Sequence, residues 1–353
     1  MKINKDYFII SKKIENIRYF LSQGNLYKHL LDRFYWYLCP RLKWTSHFPK
    51  HIDIETSSAC QMKCPMCARH LMDNILTGNM DFDLYKRIVD ECTREKVYSI
   101  KLSWRGEPLL NPKIVEMVTY AKKMGIPNVA FLSNGEPLNN EIIEDLIDAG
   151  LDWISFSFDG LGETYERIRY PAKFEDTVEK ILYMKKVREQ KRLKKPLIRV
   201  QSIWSAIKDN PEEYKMFWQG KADRVAFISD QLRTGNMKDF QHDPNYICPS
   251  PWQRMCVAWD GKVTQCHADY MEGFILGDVT KKSLHGIWHD KPFTILREKM
   301  KNKKRLAFAP CRVCCDGGVT EKKTVPIGGK NKKVLQYVGQ ELDVADMETR
   351  KTP

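Results

Sequence analysis

Three thiols stand within eight residues of one another: Cys60, Cys64 and Cys67, with three and then two residues between them. A segment this short gathers its sulfurs around a common centre, and thiolates are soft ligands that suit zinc or an iron–sulfur cluster. Structural zinc would need a fourth donor close by, and His70 stands at hand to supply one. Three cysteines on one loop can instead hold three irons of a cubane and leave the fourth iron open to a small molecule.

A second set of six begins downstream: Cys248, Cys256, Cys266, Cys311, Cys314 and Cys315. The run from Trp259 to Cys266 reads as a hairpin, with Asp260-Gly261 at its turn and the thiol ending the return strand. Cys311-Arg312-Val313-Cys314 adds a pair spaced by two residues. Cys248, Cys266, Cys311 and Cys314 therefore offer four thiolates from three local segments, enough to close one cubane. A zinc ribbon competes for these four, although its first two cysteines usually stand two to four residues apart. Cys256 and Cys315 remain without a role: each is a buried thiol, an alternative ligand or a hydrogen-atom donor.

The first spacing resembles the signature of the radical S-adenosylmethionine (SAM) superfamily. There three cysteines hold a [4Fe–4S] cluster whose free iron takes the amino and carboxylate groups of SAM, which assigns that part to Cys60, Cys64 and Cys67. Met66 stands where the family usually has an aromatic beside the adenine, and a polarisable thioether can fill the gap. Trp104-Arg105-Gly106-Glu107-Pro108 resembles the family's Gly-Gly-Glu-Pro element, with Arg105 in place of the first glycine. Gly106 then lets the backbone approach the ligand, and Glu107 accepts from the SAM ammonium. The polar strand ends Ser133-Asn134-Gly135 and Ser157-Phe158-Asp159-Gly160 imply contacts from Asn134, Ser157 and Asp159 to the SAM ribose and carboxylate. Gln201 joins them from the fifth strand, where Arg199, Gln201 and Ser202 alternate with apolar neighbours. The downstream thiols resemble the SPASM and twitch auxiliary-cluster domains. The 17, 44 and two residues between successive ligands are similar to the 2-deoxy-scyllo-inosamine dehydrogenase type.

The elements that must position these groups follow a strand and helix rhythm from His51 onward. Strands are expected at 51–55, 98–104, 128–133, 153–158, 197–204 and 224–228. Helices are expected at 84–96, 112–124, 141–149, 174–192 and 211–218. Six such units give an α/β fold of parallel strands curved into a partial (βα)6 barrel, because each crossover is right-handed and covers the outer face of the sheet. The cysteine loop directly follows the first strand, at the C-terminal end where α/β proteins keep their chemistry. Upstream, 12–21 and 26–38 have helical spacing, with Pro40 ending the second run. Phe34-Tyr35-Trp36-Tyr37 beside Arg33, Arg41 and Lys43 is read as packing across the outside of the barrel, with a membrane surface or partner as the alternative. In the tail only 334–338 has a strand pattern. The domains are thus an N-terminal helical extension (1–47), the barrel (48–240), the auxiliary domain (241–320) and a polar tail (321–353).

Composition bounds the setting. The 353 residues carry 42% hydrophobic residues and no apolar run near the roughly 20 residues that span a bilayer, so a cytoplasmic protein without membrane association is expected. Eleven cysteines there speak for metal binding over disulfides. The net charge of +13 is spread along helices and tail with no base-reading motif, which excludes nucleic acid and leaves a solvated surface or an acidic partner.

The resemblance implies an oxidoreductase reaction. SAM is cleaved to methionine and a 5′-deoxyadenosyl radical, which takes a hydrogen atom from a C–H bond. A secondary alcohol of a sugar or aminocyclitol then becomes a ketone as an electron passes to the auxiliary [4Fe–4S] cluster. Peptide maturation, by thioether formation or epimerisation, is the alternative. A flavodoxin or ferredoxin is the implied electron donor. The proton needs an acceptor, and Asp230 and Arg233, just beyond the sixth strand where a substrate hydroxyl could reach them, are the candidate catalytic groups.

Overall fold

The computed structural model describes residues 7–22, 25–71, 77–230, 240–327 and 329–338. The chain enters through β1 (Tyr7–Ile9), α1 (Lys13–Leu21) and α2 (Leu26–Leu42). The expected alternation follows as β2 (His51–Ile54), α3 (Phe82–Arg94), β3 (Ser99–Lys101), α4 (Ile114–Lys123), β4 (Asn128–Ser133), α5 (Asn140–Asp148) and β5 (Trp153–Ser157). It closes with α6 (Gly162–Ile168), α7 (Phe174–Gln190), β6 (Leu197–Ile203), α8 (Pro211–Trp218) and β7 (Arg224–Ile228). Strands β2 to β7 pair in sequence order and in parallel. Their residues are buried on both faces, as in β4 and β5, because helices cover the outside and a cavity's walls line the inside.

The sheet does not stop at the six strands. β8 (Arg254–Val257) pairs in parallel with β2, and β9 (Lys262–Thr264) and β10 (Ile275–Asp278) continue it antiparallel. The hairpin turn between β8 and β9 has Gly261 at φ 91°, a left-handed angle that glycine takes without strain. Barrel and cysteine-rich region therefore share one sheet and one apolar core. Helices α9 (Leu284–Trp288), α10 (Lys291–Lys301) and α11 (Ala309–Arg312) complete the region around the thiols.

Three features depart from expectation. β1 pairs antiparallel with β7 at the far edge, so the segment before residue 48 is not wholly helical. α2 runs through Pro40 to Leu42. Proline leaves the carbonyl four residues earlier without its helical donor, and here Gln253 Nε2 donates to that Trp36 oxygen at 2.8 Å. The helix then ends on Lys43 in the left-handed region, with Trp44 N donating to Cys39 O. Finally, β11 (Thr320–Ile327) and β12 (Lys330–Tyr337) form a full hairpin where only 334–338 had strand character. Its buried residues are Ile327, Val334 and Tyr337, and it docks on the β1–β7 edge through Ser229 Oγ to Leu335 O and Lys332 Nζ to Ile9 O.

Candidate active site

At the C-terminal ends of the parallel strands lies a cavity of about 230 Å³. Cys60, Cys64, Cys67, Met66, Gly106, Glu107, Asn134, Ser157, Asp159 and Gln201 all line it, together with Lys101, Ser103, Arg169 and Tyr270. Asp230 is buried just beyond β7, outside that lining, and Arg233 lies outside the described residues.

The cysteine loop is held from four sides by backbone. Glu55 N donates to Val257 O, Ser58 N to Gly78 O, Lys63 N to Tyr170 O, and Glu107 N to Ala59 O at 2.8 Å. Asn111 Nδ2 donates to Thr56 O at 2.7 Å. Gly106 is needed for the last of these approaches: a Cβ there would sit 2.4 Å from Ser57 O and 2.5 Å from Ala59 O. The close approach that glycine permits is thus to the cysteine loop, where the sequence pointed to the ligand.

Glu107 is fully buried and already accepts three hydrogen bonds, from Leu109 N, Ser133 Oγ and Asn134 N. Burial still pushes its carboxyl up to about 7. A carboxylate has about four acceptor positions, so one remains for an ammonium facing the cavity, and that cation would offset the burial penalty.

Beside the thiols stand donors that favour thiolate over thiol. Arg169 Nη1 lies 3.6 Å from Cys64 Sγ, and Asn134 Nδ2 lies 3.9 Å from Cys60 Sγ. Arg169 is fixed in turn by an ion pair to Asp159 at 2.5 Å, while the other Asp159 oxygen accepts from Ile203 N at 2.8 Å. Asp159 therefore acts on the cysteine loop through Arg169. Met66 packs with Ile168 and Ile203, giving the cavity an apolar wall. Burial pushes the Cys60 thiol up to about 11 and Cys64 to about 12. The His70 side chain, the fourth donor that a structural zinc at this loop would call on, lies outside the described residues.

Arg105, foreign to a glycine position, keeps an ordinary backbone and uses its side chain as a clamp. Its guanidinium meets both oxygens of Glu55 at 2.7 and 2.5 Å, Glu272 at 2.8 Å and Tyr270 O at 3.2 Å, and stacks on Trp104 at 4.1 Å. Trp104 Nε1 donates to His267 O at 2.7 Å. The β3 end thereby ties down the 267–272 loop, whose Tyr270 lines the cavity. Neither this clamp nor Arg169 was found in the sequence. The available signal was a carboxylate and a guanidinium just past two neighbouring parallel strands, at Glu55 and Arg105.

Cys248, Cys266, Cys311 and Cys314 line a second, small cavity together with Gln265, Arg305 and Asp316. Gln265 Nε2 donates to Cys311 Sγ at 2.8 Å. Burial raises all four thiols, Cys311 to about 12, with Asp316 adding to it at Cys248 and Cys314 and neighbouring thiols at Cys266, Cys311 and Cys314. Four thiols that share one pocket fit a cluster that binds them as thiolates and releases their protons. Cys256 is elsewhere: its sulfur donates to Asp53 Oδ2 at 3.4 Å, between β2 and β8. Cys315 is buried against a neighbouring cavity instead.

Comparison with known proteins agrees with this geometry. Residues 54–220 match the radical SAM superfamily and residues 248–315 the SPASM iron–sulfur cluster-binding domain. The tungsten-containing aldehyde ferredoxin oxidoreductase cofactor-modifying protein of Pyrococcus furiosus is 25% identical over 76% of this chain and 89% of its own length. The S-adenosyl-L-methionine-dependent 2-deoxy-scyllo-inosamine dehydrogenase of Niallia circulans is 23% identical over 74% of this chain and 91% of its own. In fold the chain is similar to BtrN, solved in complex with AdoMet and 2-DOIA, with a TM-score of 0.54 at 19% identity over 76% of this chain and 93% of that one. The chain carries a radical SAM domain over residues 54–220 and a C-terminal SPASM domain over residues 248–315, which imply SAM, a [4Fe–4S] cluster and auxiliary iron–sulfur ligation.

Proposed function

We propose that this enzyme oxidises a secondary alcohol of a sugar or aminocyclitol to a ketone. The observation that carries the reading is the second thiol pocket: four cysteines from three segments, enough to ligate every iron of one cubane and leave none for substrate. When bound, SAM at the first cluster supplies a hydrogen-atom acceptor, and the auxiliary cluster supplies a one-electron sink. Cys60, Cys64 and Cys67 hold the first cluster, and Cys248, Cys266, Cys311 and Cys314 the second. Glu107 would take the SAM amino group by accepting from it, Met66 would offer its thioether to the adenine, and Asn134, Ser157 and Gln201 would offer polar groups to ribose and carboxylate. Asp159 positions Arg169 against Cys64.

Asp230 is the proton acceptor in this reading. It is buried, accepts from Ser205 N at 3.0 Å, and is pushed up to about 6 by burial, so at neutral pH it is a carboxylate with an appreciable affinity for a proton. A flavodoxin or ferredoxin delivers the electron that starts turnover.

The test is incubation of the anaerobically reconstituted enzyme with SAM, a reductant and a panel of sugars and aminocyclitols. A ketone formed one-for-one with 5′-deoxyadenosine supports the proposal. A mass change on a peptide, with every polyol untouched, moves the assignment to peptide maturation. Asp230→Asn should lower turnover while leaving SAM affinity alone.

A further inference from the structure

We infer that the α1–α2 pair is a docking surface for an anionic lipid bilayer. Helices that pack across a barrel turn their apolar face inward, but here the apolar face is outward. On α1, Ile14, Ile17 and Leu21 are 53, 45 and 60% exposed. On α2, Tyr27, Leu30, Leu31, Phe34 and Tyr37 are 42 to 74% exposed and fall on one arc of the helix. The opposite face, at His29, Arg33 and Trp36, turns to the barrel. Large side chains in this number on adjoining helices exceed the scattered exposure normal for a protein surface.

Charge decides what covers them. Between residues 12 and 44 the exposed side chains charged at neutral pH are Lys12, Lys13, Arg18, Lys28 and Arg41, all basic. The acidic residues there are Glu15, half-buried, and Asp32, buried against Arg33. Behind α2 a cavity of about 400 Å³ at the N-terminal ends of the strands is lined by Arg199 and Arg224, stacked on Trp153 and Tyr19, and by Arg254, whose charge is met by Asp53 at 3.1 Å. A second copy of this chain would bring like charges together. A bilayer bearing acidic headgroups accepts the apolar arc and neutralises the basic residues around it. The face lies at the end of the barrel opposite the SAM cavity, so docking leaves the cavity mouth open. This does not need a spanning segment, and no helix among the described residues is long and apolar enough to cross a membrane.

The test is flotation of the full-length holoenzyme with two vesicle preparations, phosphatidylcholine alone and phosphatidylcholine mixed with phosphatidylglycerol. The bound fraction should be at least tenfold higher with the anionic vesicles and should fall as salt is raised. Leu30→Asp with Phe34→Asp, two exposed sites outside the catalytic cavity, should abolish binding while SAM cleavage and cluster absorbance stay as in wild type. Lys13→Glu with Lys28→Glu should lose the preference for anionic vesicles, independently of any apolar change. Equal binding to both preparations, binding to neither, or a dimer in solution that Leu30→Asp with Phe34→Asp disperses, would overturn the inference.

Discussion

Replacing Arg105 by Met tests how the auxiliary region is fastened to the SAM site. The Arg105 side chain is 1% exposed and its partner Glu55 is fully buried, so the substitution leaves a carboxylate with no guanidinium in a water-free position. Breaking a buried pair in this way costs about 3–5 kcal/mol. Part of the clamp survives, since Trp259 N also donates to Glu55 at 3.3 Å and Met retains apolar contact with Trp104. With a urea dependence of about 1–3 kcal/mol per molar, the unfolding midpoint should fall by about 1 M or more. Adding Glu55→Gln removes the stranded charge, and the double variant should regain about 1.5–3 kcal/mol relative to the sum of the single changes. The assay is anaerobic urea unfolding of the reconstituted enzyme by tryptophan fluorescence, with hydrogen exchange read over 267–272, the loop that Arg105 and Trp104 strap down. A cost below about 1 kcal/mol for Arg105→Met, or strict additivity in the double variant, would refute the clamp.

Glu107, pushed up to about 7 by burial, must be ionised to take the SAM ammonium, so SAM affinity should strengthen about tenfold between pH 6 and pH 8, as isothermal titration would record. Glu107→Gln should weaken binding about 10- to 100-fold at pH 8 and flatten the profile. The same raised carboxyl has a sign for folding without SAM: ionising it opposes the folded state, a penalty absent below about pH 4.5 that grows as pH rises to about 7. Gly106→Ala should lower iron incorporation at the first site, because the added Cβ meets backbone oxygens of Ser57 and Ala59 that cannot swing aside. Cys256→Ser should leave iron content unchanged, its sulfur being bonded to Asp53, whereas Cys266→Ala should remove about four irons per chain.

The barrel was legible because its strands are short apolar runs and its helices carry a 3.6-residue apolar stripe, signals that arise within a window of a dozen residues. The thiol spacings were legible for the same reason. β1 was not: three residues, Tyr7 to Ile9, gain their strand character from β7, more than 200 positions away. β11 was hidden by its exposed run from Glu321 to Thr324, and β12 was legible only in its second half, where Val334 and Tyr337 are buried. The run of α2 past Pro40 depends on an amide at Gln253 that no local rule could supply. Within the site, Arg105 read as a departure from a glycine pattern, and only its reach to Glu55 and Glu272 gives it a purpose. Arg169 had no motif at all, and its meaning comes from Asp159 and Cys64 converging on it from separate segments.

The measurement closest to the central claim is iron and acid-labile sulfide in protein purified without oxygen, paired with the variant lacking Cys60, Cys64 and Cys67. The wild-type chain should carry about eight of each, and the triple variant about four, with SAM cleavage abolished. Zinc in place of iron in the wild-type chain, or an unchanged iron count in the variant, would contradict the account.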